Sequence, residues 1–410
     1  MIGEIKSGYL KTQNKEECFG CEACVGICVH HAISMKDDEE GFRYPTIAES
    51  NCVRCGLCQS ICPQNRLPVK NPASPLVFGG HIKDGRVREE STSGGIFTAI
   101  ANTWSKDGNY VIFGAYSKGL EVYHGFSCEI NEIGQFRKSK YSQSSIGTTY
   151  QDVIKFLNEG KRVLFSGTPC QIAALGNILG NQFQSENLLT VEVVCEGFPS
   201  PIFIRKYILF LEKKYKAKVV TLDYRFKNKN KWDYECMRIC FDNKRELVRD
   251  RWFSPFWIFW SRRLMSRPSC IKCMFRTPER VADITLGDLW GVHKYCPDLY
   301  DGNKGATLVV CNSDKGKMWF KRCSPLIEGH ELIFEEALEY QRPMRTIVPA
   351  NPYRDQFMND LRLMDYEEVC KKWKGCESLG LLRKKYILGS NRQVVAWYNL
   401  KKKIKSIFVQ

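Results

Sequence analysis

The chain has 410 residues, 43% of them hydrophobic and 26% charged. This composition excludes wholesale disorder and is long enough for two or three domains. It holds 20 cysteines and a formal charge of +16. Charge alone would suit a nucleic-acid binder, but the dense basic–aromatic motifs of RNA-binding modules are missing, so no nucleic-acid partner is expected.

The opening stretch MIGEIKSGYL has no apolar region of signal-peptide type. The longest aromatic run, Trp252 to Trp260, is interrupted by Ser254 and Pro255. It falls far short of the roughly 20 apolar residues that cross a bilayer. A cytoplasmic chain with reduced thiols is expected, so its cysteines read as metal ligands or small core residues rather than as disulfides.

Residues 18 to 28 read C-F-G-C-E-A-C-V-G-I-C and residues 52 to 63 read C-V-R-C-G-L-C-Q-S-I-C-P. Both contain C-x2-C-x2-C-x3-C, the spacing of two-cluster bacterial ferredoxins. Three cysteines two apart wrap one corner of a cubane, and the fourth points to the other cluster. Cys18, Cys21, Cys24 and Cys62 are therefore expected to hold one [4Fe-4S] cluster. Cys52, Cys55, Cys58 and Cys28 are expected to hold the second. Zinc fits less well, because it takes four ligands, usually as two separated pairs. The acidic stretch DDEEGFRYP, 37 to 45, reads as a turn between two short strands. This gives an α+β ferredoxin-like domain over 1–66.

Residues 67–78, with Pro68, Pro72 and Pro75, read as an extended linker. Beyond it, periodicity predicts a helix from Ile96 to Trp104, a strand over 110–116, a helix over 150–158 and a strand over 162–166. A helix over 171–179 and a strand over 189–195 follow. Short strands are expected over 284–286 and 306–311, with Ser313 capping the next helix. This alternation predicts a mixed α/β domain over 79–345. Residues 346–410 read as a helical basic extension.

No G-x-G-x-x-G or G-x-x-x-x-G-K-[ST] occurs, which argues against a Rossmann NAD(P) site and an ATPase. Ser93, Gly94 and Gly95 precede the helix at Ile96, where free amides could receive an anion such as a pyrophosphate; a plain N-cap with small residues is the commoner explanation of such a stretch. Of the other twelve cysteines, Cys170, Cys195, Cys270 and Cys273 stand at strand ends or in loops, where metal ligands tend to sit. Cys236, Cys240 and Cys311 fall in strand patterns and read as core. Cys128, Cys296, Cys323, Cys370 and Cys376 lack partners at ligand spacing and read as structural. Asp288 follows a Gly and could support a cofactor or only form a turn. His293 is a candidate proton donor, though a lone His is more often structural. No catalytic acid can be named.

Seven stretches point one way: STSGG (91–95), KYSQSSIG (140–147), GTPCQIAAL (167–175), VVCEGFPSP (193–201), RPSCIKC (267–273), ADITLGDLWG (282–291) and DGNKGATLVV (301–310). In this order they resemble the coenzyme F420 hydrogenase/dehydrogenase beta-subunit family, over residues 1 to about 325. That family includes relatives that do not use this deazaflavin. The resemblance implies that the α/β domain is flavin-binding and holds FAD. The implied contacts are Ser93, Gly94 and Gly95, then Lys140, Gln143 and Ser144 of the KYSQS segment, with Thr168 and Asp288. It also implies a third [4Fe-4S] cluster on Cys170, Cys195, Cys270 and Cys273. The family often has His after the second of these cysteines, where this chain has Glu196.

Together these features suggest an oxidoreductase that converts between one-electron and two-electron chemistry. Its expected partners are reduced ferredoxin or a partner oxidoreductase subunit, and a small organic substrate or coenzyme F420. An electron-transfer subunit without its own substrate is the alternative. Half of the excess charge lies in residues 378–410, with eight Lys/Arg and no acid. Trp397, Leu400, Ile404 and Phe408 could form an apolar stripe beside Lys401, Lys402, Lys403 and Lys405. That stripe could touch a membrane surface peripherally or pack on the domain.

Overall fold

The computed structural model describes residues 8–67, 75–228, 231–347 and 349–386, together with 396–397, 400–401 and 404. In the first unit, β1 (Ile33–Asp37) and β2 (Arg43–Ile47) pair antiparallel around the acidic turn. Short helices Ala23–Ile27 and Leu57–Ser60 follow the two cysteine loops.

The large unit is built on eight strands: β3 (Leu76–Ile82), β4 (Tyr110–Lys118), β5 (Glu121–Ser127), β6 (Arg162–Gly167), β7 (Leu188–Val193), β11 (Ile284–Asp288), β12 (Thr307–Cys311) and β13 (Ile327–Glu331). Their order is β13-β3-β12-β11-β7-β6-β4-β5. The four central strands β11, β7, β6 and β4 run parallel, and antiparallel strands extend both flanks. Helices pack on both faces, the arrangement expected of α/β alternation.

Strand alternation sorts the core into two layers. Val111, Phe113, Val163 and Phe165 face the helices Thr149–Asn158 and Pro169–Leu179. Ile112, Leu164, Leu189 and Val191 face helix Ile96–Ser105 and Trp319. There the Trp104 and Trp319 rings meet edge-on at 4.5 Å. Ser313 caps helix Asp314–Lys321, accepting from the Gly316 amide at 3.0 Å.

Two expectations change. The presumed linker over 67–78 includes Leu76, Val77 and Phe78, which open β3 in the interior of the sheet, between β12 and β13. The prolines suggested an extended tether, but the apolar LVF that follows is pulled into strand pairing; residues 68–74 lie outside those described. The region after 345 is not merely an appendage. Phe357, Met358, Leu361 and Val369 are buried with helices Pro201–Tyr215 and Pro255–Ser261 and with β8 (Val219–Phe226) and β9 (Cys236–Phe241). These strands and β10 (Glu246–Arg249) form a three-stranded sheet inserted between β7 and β11.

Among the cysteines read as core, Cys236 and Cys311 are buried but Cys240 is only half-buried, near the end of central strand β9 and opposite Glu246 of β10. Of the five read as structural, Cys296 and Cys323 are buried, whereas Cys128 and Cys376 are exposed.

The glycines before Ile96 serve close packing. A Cβ at Gly94 would lie 2.8 Å from the Thr307 amide nitrogen and against the Gly80 carbonyl. The Gly94 amide donates to Thr307 Oγ1 at 2.8 Å, and the Ser93 hydroxyl donates to the Ala306 carbonyl. Gly94→Ala is therefore expected to lower stability by about 1–3 kcal/mol through overpacking. Gly108→Ala, with open space around it at φ +70°, should cost only about 1 kcal/mol. Urea unfolding of both variants checks the difference.

Candidate functional site

The eight ferredoxin-type cysteines line two adjoining pockets. Cys18, Cys21, Cys24 and Cys62 line the inner one, with Phe19 and Tyr9. Cys28, Cys52 and Cys55 line the outer one, rimmed by Val29, Val53 and Leu57. Cys58 and Gln59 border both. The long-range cysteines thus cross over: Cys62 joins the first run and Cys28 the second. Burial raises the thiol pKa of Cys21, Cys24, Cys58 and Cys62, the last to about 11, with neighbouring thiols adding to the effect. Metal loading must displace these protons.

Cys170, Cys195, Cys270 and Cys273 line a third pocket with Phe19, Gly197, Phe198, Phe275 and Arg276. Each comes from a separate constraint. Cys170 sits in the first turn of helix Pro169–Leu179, which opens on a Thr168–Gln171 capping box; the helix dipole there favours negative charge. Cys195 lies two residues beyond β7, where its thiol accepts the Gly197 amide at 3.3 Å. Gly197 has φ +105°, and a Cβ on it would stand 2.7 Å from Cys270 Cβ. Cys270 and Cys273 follow Pro268 around a one-turn helix. Burial raises all four thiols, Cys195 to about 12 and Cys273 to about 11.

Two observations bear on what such a pocket could hold. Arg276 lines the pocket, and its buried Nη1 has no hydrogen-bond partner. Among the described residues, no three of the twelve thiols converge within 4.8 Å. Thiolates around one zinc stand about 3.8 Å apart, whereas a cubane gives each thiolate its own iron and spreads them.

Next to this pocket lies a cavity of about 480 Å³. It shares Cys195, Gly197 and Phe198 with the thiol pocket. Its walls carry Tyr141, Trp257, Trp260, Trp290 and Tyr340 together with Lys138, Lys140, Arg225, Arg251 and Arg263. Arg225 is held by Asp288 at 2.8 Å, and Asp288 also accepts from Trp232 at 3.2 Å. Three buried donors on these walls have no partner: Arg225 Nη2, Arg263 Nε and Trp257 Nε1. The cavity therefore suits a ligand rich in acceptors. Burial lowers the Lys140 pKa to about 7, so an anion bound there would draw a proton onto it.

Of the expected flavin contacts, Lys140, Ser144, Thr168 and Asp288 line this cavity, whereas Ser93, Gly94, Gly95 and Gln143 do not. Gly94 and Ser93 are spent on packing, as above. Gln143 reaches the other way and donates to the Phe19 and Gly20 carbonyls at 2.9 and 2.6 Å. His293 also lies off the cavity, edge-on to Tyr300. Glu196 lines the cavity and pairs with Arg263. Sequence reasoning missed Arg225, Arg263 and Trp257; Trp290 falls in the quoted stretch ADITLGDLWG. The one sequence signal near those three is the aromatic run around Trp257, which sequence reasoning weighs only against the length needed to cross a bilayer. In the tail, Trp397, Leu400 and Ile404 are exposed, while Phe408, Lys402, Lys403 and Lys405 lie outside the described residues. No helix among the described residues is long and apolar enough to cross a membrane.

Residues 17–66 match the 4Fe-4S dicluster domain. Residues 160–330 match the family formed by the carboxy-terminal part of the coenzyme F420 hydrogenase/dehydrogenase beta subunit. The chain is thus an iron–sulfur, electron-transfer, oxidoreductase-like protein related to the F420 hydrogenase beta subunit, with a 4Fe-4S dicluster domain ahead of the matched part. STSGG and KYSQSSIG fall between the matched regions. Ferredoxin-3 of Nostoc sp. strain PCC 7120 is 27% identical over 71 residues, covering 73% of that protein and 14% of this chain. A chain of the F420-reducing [NiFe] hydrogenase complex from Methanosarcina barkeri aligns at 14% identity and a TM-score of 0.43, covering 74% of this chain and 91% of its own. That likeness is too distant to carry an argument.

The geometry generates two predictions. Arg267 is fully buried and donates to the Cys18 carbonyl at 2.9 Å and the Arg43 carbonyl at 3.0 Å. Arg267→Met strands the Arg43 carbonyl and should cost about 1–3 kcal/mol, read by urea unfolding. His124 is buried against Phe165 at 5.0 Å, and burial lowers its pKa from 6.5 to about 4. The unfolded chain binds the extra proton between these values, so the His124 contribution is complete above pH 6.5 and is lost as pH falls through about 4. His124→Phe should flatten the fall in stability over that window, measured by thermal melts at stepped pH.

Proposed function

We propose that the chain is an iron–sulfur flavoprotein oxidoreductase serving a soluble organic substrate, with two ferredoxin-type [4Fe-4S] clusters, a third [4Fe-4S] cluster and FAD. The observation that carries this reading is the unbroken succession of sites. The outer and inner cysteine pockets share Cys58 and Gln59, and the inner and third pockets share Phe19. The third pocket and the cavity share Cys195, Gly197 and Phe198. A flavin, when bound, joins two-electron substrate chemistry to the one-electron chemistry of cubanes.

In this reading Cys18, Cys21, Cys24 and Cys62 hold one cluster, and Cys52, Cys55, Cys58 and Cys28 hold the second. Cys170, Cys195, Cys270 and Cys273 hold the third. Arg276, lining the third pocket, and Arg267, whose charge acts on both Cys18 and Cys270, offset the negative charge of thiolate-bound iron. Arg225, Arg263 and Trp257 supply donors to the acceptors of the flavin dinucleotide, and Lys140 supplies a proton-accepting amine. Asp288 keeps Arg225 oriented. The tryptophan and tyrosine rings lining the cavity keep water off a planar ring system.

The outer pocket supports a protein electron carrier as partner. Val29, Val53 and Leu57 are 76%, 59% and 44% exposed around it, and Cys55 itself is exposed. An apolar rim at a surface redox site fits a ferredoxin or a partner subunit. Exposed Trp397 and Leu400 beside Lys401 support a further, peripheral contact with an anionic surface.

Anaerobic purification with iron, sulfide and flavin analysis tests this. About twelve irons and one FAD per chain are expected, and Cys170→Ser should lower iron to about eight while leaving the ferredoxin-type signals. Eight irons in the parent would remove the third cluster from the reading. Absence of flavin from protein with full iron content would remove the enzyme assignment and leave an electron-transfer subunit. Reduced F420, named in the matched family, is the first substrate to assay, alongside reduced ferredoxin.

A further inference from the structure

Cys296, read from sequence as structural, lies at the far flank of the sheet with two other ligand-type side chains. It follows the short helix Val292–Tyr295. Asp298 lies in the succeeding turn, and His330 stands on the edge strand β13. The Cys296 thiol is 3.0 Å from His330 Nε2 and 3.4 Å from Asp298 Oδ1. One ligand atom from each residue falls within 4.8 Å of the other two. No other such group of three occurs among the described residues.

We propose that Cys296, Asp298 and His330 form a binding site for a divalent transition cation of the zinc class. Around tetrahedral zinc, ligand atoms stand about 3.3–3.6 Å apart, given Zn–S of about 2.3 Å and Zn–N or Zn–O of about 2.0–2.1 Å. The Cys296–Asp298 separation of 3.4 Å already meets that, the Cys296–His330 separation of 3.0 Å must widen by about half an ångström, and the three ligand atoms all start within 4.8 Å of one another. The mixture of thiolate, imidazole and carboxylate suits borderline Zn2+ better than Mg2+ or Ca2+, which prefer all-oxygen shells. Asp298 and His330 are each nearly half exposed, which leaves the fourth position to water.

The same three residue types could make a nucleophilic triad, since His330 Nδ1 is 3.7 Å from Asp298 Oδ2. In such a triad the carboxylate stands behind the base, away from the nucleophile. Here it also touches the thiol, so the three groups converge on one point. The site is independent of the redox reading. Its structural consequence is to tie edge strand β13 to the segment that follows Trp290. Tyr295, beside Cys296, stacks on the cavity residue Tyr340 at 5.4 Å.

The test uses the cluster-loaded full chain, prepared anaerobically, dialysed against EDTA and then against Zn2+, with zinc and iron counted together. The parent should hold about one zinc per chain. His330→Gln, at an exposed position, should bind zinc at least about tenfold more weakly with iron unchanged. Cys296→Ser, with its fold checked by circular dichroism, should behave alike. Zinc-edge X-ray absorption of the parent should give one sulfur and three N/O neighbours. Equal zinc uptake by parent and His330→Gln, no uptake at all, or a four-sulfur shell, which would put zinc on the cubane cysteines, would each overturn the proposal.

Discussion

The structure depends on how the backbone of the first cysteine loop is satisfied. A loop that wraps its thiols around one point cannot form regular ladders, so its carbonyls need other donors. The large domain supplies them. Arg267 and Ser269 donate to the Cys18 carbonyl, Gln143 to those of Phe19 and Gly20, and Tyr150 to that of Cys21. Asn177 does the same for Ile61 and Arg66 after the second run. Phe19, Cys21, Ala23 and Ile61 consequently share one hydrophobic core with β4, β6 and the two helices packed on them. The dicluster unit is therefore seated rather than tethered, and its inner pocket abuts the third group of cysteines.

This seating also concentrates charge. Arg267 and Arg276 are buried around the third thiol pocket, and Arg280 is buried against Glu192 nearby. Buried cations without full carboxylate compensation are costly unless anions arrive. The unpartnered donors Arg276 Nη1, Arg225 Nη2, Arg263 Nε and Trp257 Nε1 lie along the path from the thiol pocket into the cavity. They describe a polar lining built for negatively charged, acceptor-rich occupants.

The ferredoxin-type domain and the α/β class are legible in the sequence because both rest on local signals, cysteine spacing and hydrophobic period. Strands β4, β6 and β7 are found within one or two residues because each is a buried apolar run. β3 escapes notice because its prolines precede an otherwise ordinary strand. Of the three-stranded insertion only β9 leaves a strand pattern, around Cys236 and Cys240; β8 and β10 escape notice because they are polar and largely half-buried or exposed. STSGG looks like an anion-binding helix start, but Gly94 is small because β3 and β12 approach it. Gln143 reads with its neighbours in KYSQS, but its side chain is taken by the Phe19 and Gly20 carbonyls of the first cysteine loop, a contact that only the folded chain makes.

By itself the sequence determined which thiols belong to the repeated cysteine runs, where the sheet core lies and that a further group of four cysteines stands apart. These follow from covalent spacing and periodicity, which any fold must respect. Tertiary structure alone decided that Cys170, Cys195, Cys270 and Cys273 line one pocket, that this pocket adjoins an arginine- and tryptophan-lined cavity, and that Cys296 meets Asp298 and His330. Those proximities join residues far apart along the chain. They arise from the packing of sheet, insertion and dicluster unit, which leaves no periodic trace in the sequence.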